Sequence, residues 1–178
     1  EKDKITEVFR GAVPDSVLQN SECVPCNGKL IIPGVIDDQV HFREPGLTHK
    51  GSIATESRAA LAGGVTTFMD MPNVAPQTVT IPNLEQKLKI ASETSYANYA
   101  FYFGATNTNM DELRALDKNL VCGIKVFMGS STGNMLVDDE NTLRNIFSEI
   151  KIPVAIHSED ETTIKENLAR YVAQYGDN

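Results

Sequence analysis

Apolar and polar positions along the chain follow two periods in turn, which predicts strands followed by helices. Short runs rich in branched and aromatic residues alternate with segments whose apolar residues have helical spacing. The predicted strands are 30–36, 65–69, 99–103, 120–128 and 153–157. Five helices are predicted: 52–62, a helix from Pro82, a short helix from Met110, a helix that contains Leu143, Ile146, Phe147 and Ile150, and 159–174. Ser158 and Glu161 are predicted to form a capping box at the start of the last helix. Successive βα units predict an α/β fold with a parallel sheet and right-handed crossovers.

Residues 1–29 follow a different pattern. Residues 4–9, KITEVF, suit a short strand, and Gly, Pro, Asp, Ser and Asn then mark loops. We therefore divide the chain into a remnant of a small β unit at 1–29 and an α/β region at 30–178.

Polar side chains stand at the carboxyl ends of four predicted strands: His41, Asp70, Lys125 and His157. In a (β/α)8 barrel, as in an open parallel sheet, that edge binds ligands. Five units are too few to close a barrel of eight strands. The sequence thus predicts either an open sheet or the first part of a barrel.

The segment 33–46, PGVIDDQVHFREPG, carries the densest set of such side chains. Asp37, Gln39, His41 and Arg43 share one parity, and alternate side chains of a strand point to the same face. An acid, an amide, an imidazole and a guanidinium are therefore predicted to converge at one site.

Composition excludes several classes of function. The 178 residues carry a net charge of −8 with no basic cluster, which argues against nucleic acid or an anionic membrane as main partner. No membrane-length apolar run or signal segment is present, so a cytoplasmic protein is predicted. Three cysteines make a disulfide framework improbable, and Cys23 and Cys26, although spaced like half a zinc site, have no completing ligands nearby.

Each candidate residue also has a structural interpretation. Lys125 interrupts an apolar strand, so its amine either reaches water or is desolvated, in which state it can form a Schiff base or take up carbon dioxide as a carbamate. Arg43 either clamps a carboxylate or pairs with Glu44 or another surface acid. With a carbamate, His41, Lys125 and His157 would offer imidazole and oxygen ligands that suit zinc. The loop 129–133 lacks the spacing of a phosphate-binding loop.

Four ordered motifs resemble the dihydroorotases of the amidohydrolase superfamily. They are PGVIDDQVHFREPG at 33–46, AGGVTTFMDMPN at 62–73, GIKVFMGSSTGNM at 123–135 and PVAIHSED at 153–160. The similarity runs from about Lys29 to the end of the chain. Hydantoinases and allantoinases share part of it.

The resemblance implies the first five βα units of a (β/α)8 barrel, with a small β-sandwich domain built from both chain ends. It further implies one or two Zn²⁺ ions held by His41, by Lys125 in carboxylated form, and by His157. Arg43 and Asn73 match the residues that hold the substrate carboxylate. The implied reaction is the reversible interconversion of dihydroorotate and N-carbamoyl-aspartate in pyrimidine biosynthesis.

Two departures from the family pattern limit this interpretation. Gln39 stands where the first His of an HxH pair is expected, so one metal position would be weak. The sixth-strand His and the catalytic eighth-strand Asp of the family would lie beyond residue 178, which identifies the chain as a fragment. A catalytically silent scaffold subunit and a hydantoinase- or allantoinase-type amidase are the alternatives, and a homo-oligomer is left open.

Overall fold

The computed structural model describes residues 4–129 and 135–177 and divides the chain into two compact units. The first unit is Glu1–Pro33 and the second is Gly34–Asn178. Most of the loop 129–133 lies outside the described residues.

The described part of the first unit contains one short helix, α1 (Asp15–Leu18), and no strand. The strand predicted at 4–9 is therefore wrong. Ile5 and Val8 are 88% and 78% exposed, and residues 5–9 form no strand. The assignment of 1–29 to a β-sandwich remnant stays a prediction.

The second unit alternates strands and helices throughout its described length. Its elements are β1 (Val35–Val40), α2 (Ile53–Ala62), β2 (Val65–Asp70), α3 (Ile81–Thr94), β3 (Asn98–Gly104), α4 (Met110–Ala115), β4 (Gly123–Phe127), α5 (Glu140–Glu149), β5 (Val154–His157) and α6 (Glu161–Tyr175). All neighbouring strands are parallel, and the sheet order is β1-β2-β3-β4-β5. This confirms the predicted α/β fold and its succession of βα units.

The first strand lies later than the sequence pattern predicts. The apolar run favours 30–36, but the strand forms at Val35–Val40. Pairing with β2 decides its position: the N–H of Val35 donates to the carbonyl of Gly64 at 3.0 Å. Residues 30–32 are exposed, and Pro33 beside them has no N–H for a ladder.

Side-chain caps begin most helices of the second unit. Ser52 and Thr55 form a capping box at α2, and Thr80 caps α3. The capping box predicted for α6 is wrong. Asp160 caps this helix instead, accepting a hydrogen bond from the Thr163 N–H at 2.8 Å.

The apolar core lies between one face of the sheet and the helices. Its strand side chains include Phe68, Phe101, Phe103, Ile124 and Val126, and its helix side chains include Ile53, Leu84, Ala91, Leu113 and Ile146. The residues between these strand positions, Lys125 among them, point to the other face. That face is therefore free to carry polar groups.

Apolar side chains are uncovered at both edges of the sheet. Ile36 of β1 is 60% exposed and Ile156 of β5 is 44% exposed, and α6 buries none of its residues. Five strands in this order leave two edges, where a closed barrel would have none. None of the described helices is long and apolar enough to cross a membrane.

Candidate functional site at the carboxyl edge of the sheet

Two of the predicted side chains come from the carboxyl ends of parallel strands, and a third comes from the middle of a strand. His41 directly follows β1, Lys125 lies in β4, and His157 is the last residue of β5. The carboxyl ends of parallel strands meet at one edge of a sheet. The charges of Arg43 and Lys125 help to lower the pKa of His41, and the charge of Asp70 opposes them.

His41 is oriented by a partner from the next loop. Its Nδ1 lies 2.8 Å from Oδ1 of Asn73. Because an amide oxygen only accepts, Nδ1 carries the proton, and Nε2 keeps its lone pair. Partial burial lowers the pKa of His41, and the Asn73 hydrogen bond opposes this effect while Arg43 adds to it. A neutral imidazole with a free Nε2 is the form that binds a metal ion.

The segments after β1 and β2 are joined by backbone contacts as well. The N–H of Met71 donates to the carbonyl of Val40 at 3.0 Å, and the N–H of Ala75 donates to that of Pro45 at 3.1 Å. Gly46 has a φ of +80°, and a Cβ there would lie 1.8 Å from the Ala75 carbonyl oxygen. The two loops therefore pack together closely.

Arg43 has an unusual backbone conformation and an unengaged side chain. Its φ is +69°, in the left-handed region that non-glycine residues rarely adopt and that costs about 1 kcal/mol or more. The strand alternation predicted through this residue therefore ends before it. Within residues 4–129 and 135–177, its guanidinium makes no hydrogen bond or ion pair.

Glu44 does not neutralise Arg43. Its Oε2 instead accepts a hydrogen bond from the N–H of Ile53 at 2.8 Å, at the start of α2. A carboxylate at a helix N-terminus is favoured by the helix dipole. Among the described residues, the structural interpretation of Arg43 as the ion-pair partner of Glu44 is therefore contradicted.

Lys125 is a buried amine. The residue is 1% exposed, and its Nζ lies 4.9 Å from the centroid of the Phe127 ring. Among the described residues no carboxylate is in salt-bridge contact with it. Burial lowers the pKa of Lys125, and the more distant charge of Glu159 opposes the shift. The interpretation in which this amine reaches water does not fit such burial.

His157 shares the aromatic ring that lies beside Lys125. Its imidazole packs edge-on against Phe127, with ring centroids 5.2 Å apart. Its carbonyl accepts a hydrogen bond from the N–H of Met128 at 2.8 Å, which continues the pairing of β4 and β5. No group of three or more His, Cys, Asp or Glu side chains within the described ranges could hold a metal ion.

Asp70 stands at a strand end but belongs to the helix side of the sheet. Its Oδ2 lies 2.7 Å from Nζ of Lys87 in α3, and both side chains are fully buried. Burial lowers the pKa of Lys87, and the Asp70 carboxylate opposes this. Sequence reasoning missed Lys87, although its position three residues after Leu84 on an apolar helix stripe could have indicated it.

Among the described residues, neither Gln39 nor any of the three cysteines forms a hydrogen bond with the predicted zinc ligands. Gln39 is exposed in β1, and its N–H donates to Asp37 Oδ1 at 3.1 Å. All three cysteines are free thiols: Cys23 is exposed, while Cys26 and Cys122 are partly buried.

The five parallel strands follow one another in chain order and carry polar side chains at their carboxyl edge. This arrangement is part of a (β/α)8 barrel, in which that edge holds the active site. Residues 28–166 match the family model described as dihydro-orotase-like. The chain belongs to this family, which confirms the resemblance that the motifs indicate.

Individual relatives agree with this assignment. A dihydroorotase of Methanosarcina acetivorans is 38% identical over 168 residues, covering 90% of this chain and 34% of the relative. An allantoinase of Desulfitobacterium hafniense is 35% identical over 150 residues, covering 82% and 33%. The L-hydantoinase of Arthrobacter aurescens has a TM-score of 0.78 at 30% identity, covering 86% and 35%. The chain spans about a third of the length of the curated relatives it matches.

Proposed function

We propose that this chain supplies part of the active site of a metal-dependent cyclic amide hydrolase that interconverts dihydroorotate and N-carbamoyl-aspartate. Family membership supports hydrolysis of a cyclic amide. The observation that carries the choice of substrate is the free guanidinium of Arg43 at the same edge as Asn73. Both compounds bear a carboxylate that such a pair can bind.

Arg43 and Asn73 divide the work of binding in this proposal. The Arg43 fork pairs with the substrate carboxylate through two parallel hydrogen bonds. The oxygen of the Asn73 amide is used by His41, so its NH₂ group is left to donate to the same carboxylate. Binding of the carboxylate thereby fixes the position of the substrate ring.

The donor set of this edge fits zinc. We propose His41 through Nε2, His157, and Lys125 as its ligands. Lys125 would first react with carbon dioxide: the nitrogen of its neutral amine forms a bond to the carbon, one C=O π bond becomes an oxygen lone pair, and the nitrogen releases one proton, which leaves an anionic carbamate. The lowered pKa of Lys125 favours the neutral amine that this step needs. When bound, zinc supplies a Lewis acid that polarises the amide carbonyl and activates water.

The chain's own groups account for binding and orientation, and we assign none of them to proton transfer. Because Gln39 is exposed and offers only an amide, we propose that one of the two metal positions of the family is weak. A cytoplasmic location and the oligomeric state stay predictions.

The test uses a full-length protein that carries this chain within the length of its relatives. Metal analysis and an assay of dihydroorotate hydrolysis, followed by ultraviolet absorbance, should reveal bound zinc and turnover. Hydantoin and allantoin serve as comparison substrates. If the protein hydrolyses hydantoin or allantoin but not dihydroorotate, it is a hydantoinase- or allantoinase-type amidase. If it binds no metal and hydrolyses none of the three compounds, it is a scaffold subunit.

A further inference from the structure

The buried pair of Asp70 and Lys87 contacts the backbone on both sides of the site. Asp70 Oδ1 accepts a hydrogen bond from the N–H of Phe42 at 2.9 Å, while its Oδ2 lies 2.7 Å from Lys87 Nζ. Lys87 also donates to the carbonyl of Met71 at 2.9 Å. Phe42 is the residue between His41 and Arg43, and Met71 begins the segment that leads to Asn73.

The main contribution of the Asp70–Lys87 pair is its hydrogen bonding to the backbone, not its net stability. Lys87 Nζ lies 4.7 Å from the Phe101 ring centroid, and the Lys87 and Asp70 side chains are both fully buried. A buried ion pair gives little net stability compared with a well-packed apolar pair. Its hydrogen bonds, in contrast, are directional and fix the two segments at defined positions.

Arg43 gives a reason why the backbone beside it needs such a contact. Its φ of +69° persists only where the surrounding structure determines it. The N–H of Phe42 is the nearest backbone donor before this residue, and the Asp70 carboxylate holds it. Release of that N–H would let the segment relax and turn the guanidinium away.

We propose that Asp70 is a positioning residue that sets the directions of His41 and Arg43 through the N–H of Phe42. The inference rests on the proposed function, because the two side chains it positions are the proposed zinc ligand and carboxylate clamp. Asp70 touches neither metal nor substrate. Its effect is transmitted through the backbone.

Two double variants of the full-length protein separate positioning from charge. Asp70→Asn with Lys87→Met removes both charges but keeps an oxygen that accepts from Phe42. Asp70→Leu with Lys87→Met removes the charges and the acceptor at similar volume. We expect zinc affinity in the leucine variant to fall about 10- to 100-fold below that of the asparagine variant, as when partners of metal ligands are lost.

Substrate selectivity supplies a readout that partial unfolding does not move. Dihydrouracil has the same ring as dihydroorotate but no carboxylate. If Arg43 is displaced, the ratio of kcat/KM for dihydroorotate to that for dihydrouracil falls in the leucine variant and stays near its original value in the asparagine variant. A loss of folded enzyme would lower both values equally and leave the ratio unchanged.

One further measurement tests the positioning role of Asp70 independently of the proposed function. Exchange of the Phe42 amide hydrogen, measured by NMR, should be faster in the leucine variant than in the asparagine variant even if the unmodified protein binds no zinc. Equal exchange and an equal selectivity ratio in the two variants would overturn the proposal. Should the leucine variant fold too poorly for measurement, Asp70→Ala with Lys87→Met carries the same expectation.

Discussion

Nδ1 of His41 and Oδ1 of Asn73 lie 2.8 Å apart, and this contact joins the end of β1 to the loop after β2. One amide side chain therefore serves two purposes in the proposed site. Its oxygen orients the imidazole, and its nitrogen faces the substrate carboxylate. Substrate binding by the nitrogen can be removed while the orienting oxygen is kept.

Substitutions of Asn73 should separate orientation of His41 from binding of the substrate. Asn73→Asp keeps an oxygen for the His41 N–H but places a negative charge beside the carboxylate, so we expect retained zinc and a raised KM. Asn73→Ala loses both contacts, so zinc affinity should also fall, by roughly 10- to 100-fold. Zinc titration and steady-state kinetics measure the two effects. Equal zinc affinity in both variants would contradict the orienting role.

Arg43→Ala should raise KM for dihydroorotate by roughly 10- to 100-fold, because a charged hydrogen-bonding pair is lost. Arg43→Lys should have a KM between those of the unmodified protein and Arg43→Ala, since lysine keeps the charge but not the planar fork. Hydrolysis of dihydrouracil provides the control and should change little. An unchanged KM for dihydroorotate in Arg43→Ala would refute the carboxylate clamp.

Lys125→Ala should abolish zinc binding, because the remaining proposed ligands are two imidazoles. A short carboxylic acid such as propionate can occupy the space of the carbamate and should restore metal and part of the activity. Bicarbonate should restore neither in this variant, but it should reactivate unmodified protein that has been depleted of carbon dioxide. Full zinc content in Lys125→Ala would exclude Lys125 as a ligand.

Gln39→His should increase the zinc content of the full-length protein from about one to about two ions, since it completes an HxH pair with His41. The matched control is Asp38→His, which adds an exposed imidazole to the same strand at the other parity. Metal analysis after dialysis distinguishes the variants. Two ions in the unmodified protein would show that Gln39 does not weaken the site.

Cys122 should react far more slowly with alkylating reagents than Cys23. Burial raises the pKa of the Cys122 thiol to about 11. Its thiolate fraction at pH 8 is then roughly 200-fold below that of an ordinary thiol. Because the folded pKa lies above the unfolded one, the associated stability is present at neutral pH and is lost as pH rises through about 11. Mass spectrometry of alkylated protein measures the rates, and urea-unfolded protein is the control.

The order of elements could be predicted from the sequence because each βα unit carries its own periodicity and punctuation. The pairs β2 with α3 and β5 with α6 appear at nearly the predicted residues. Their exact limits depend on pairing and capping. Because the Val35 N–H pairs with the carbonyl of Gly64, β1 forms at Val35–Val40 and not at 30–36. The N-cap of α6 is Asp160 and not the predicted Ser158.

The sequence by itself determined the α/β architecture, the strand-end positions of His41 and His157, and the family, because these follow from local patterns and motif order; Lys125, predicted at a strand end, lies in the middle of β4. Tertiary structure decided which polar residues face the site. Asp70 has the same strand-end position, yet its carboxylate pairs with Lys87 on the helix side. Glu44 adjoins Arg43 in sequence, yet it caps α2. Partners brought together by packing set these outcomes, and no local pattern contains that information.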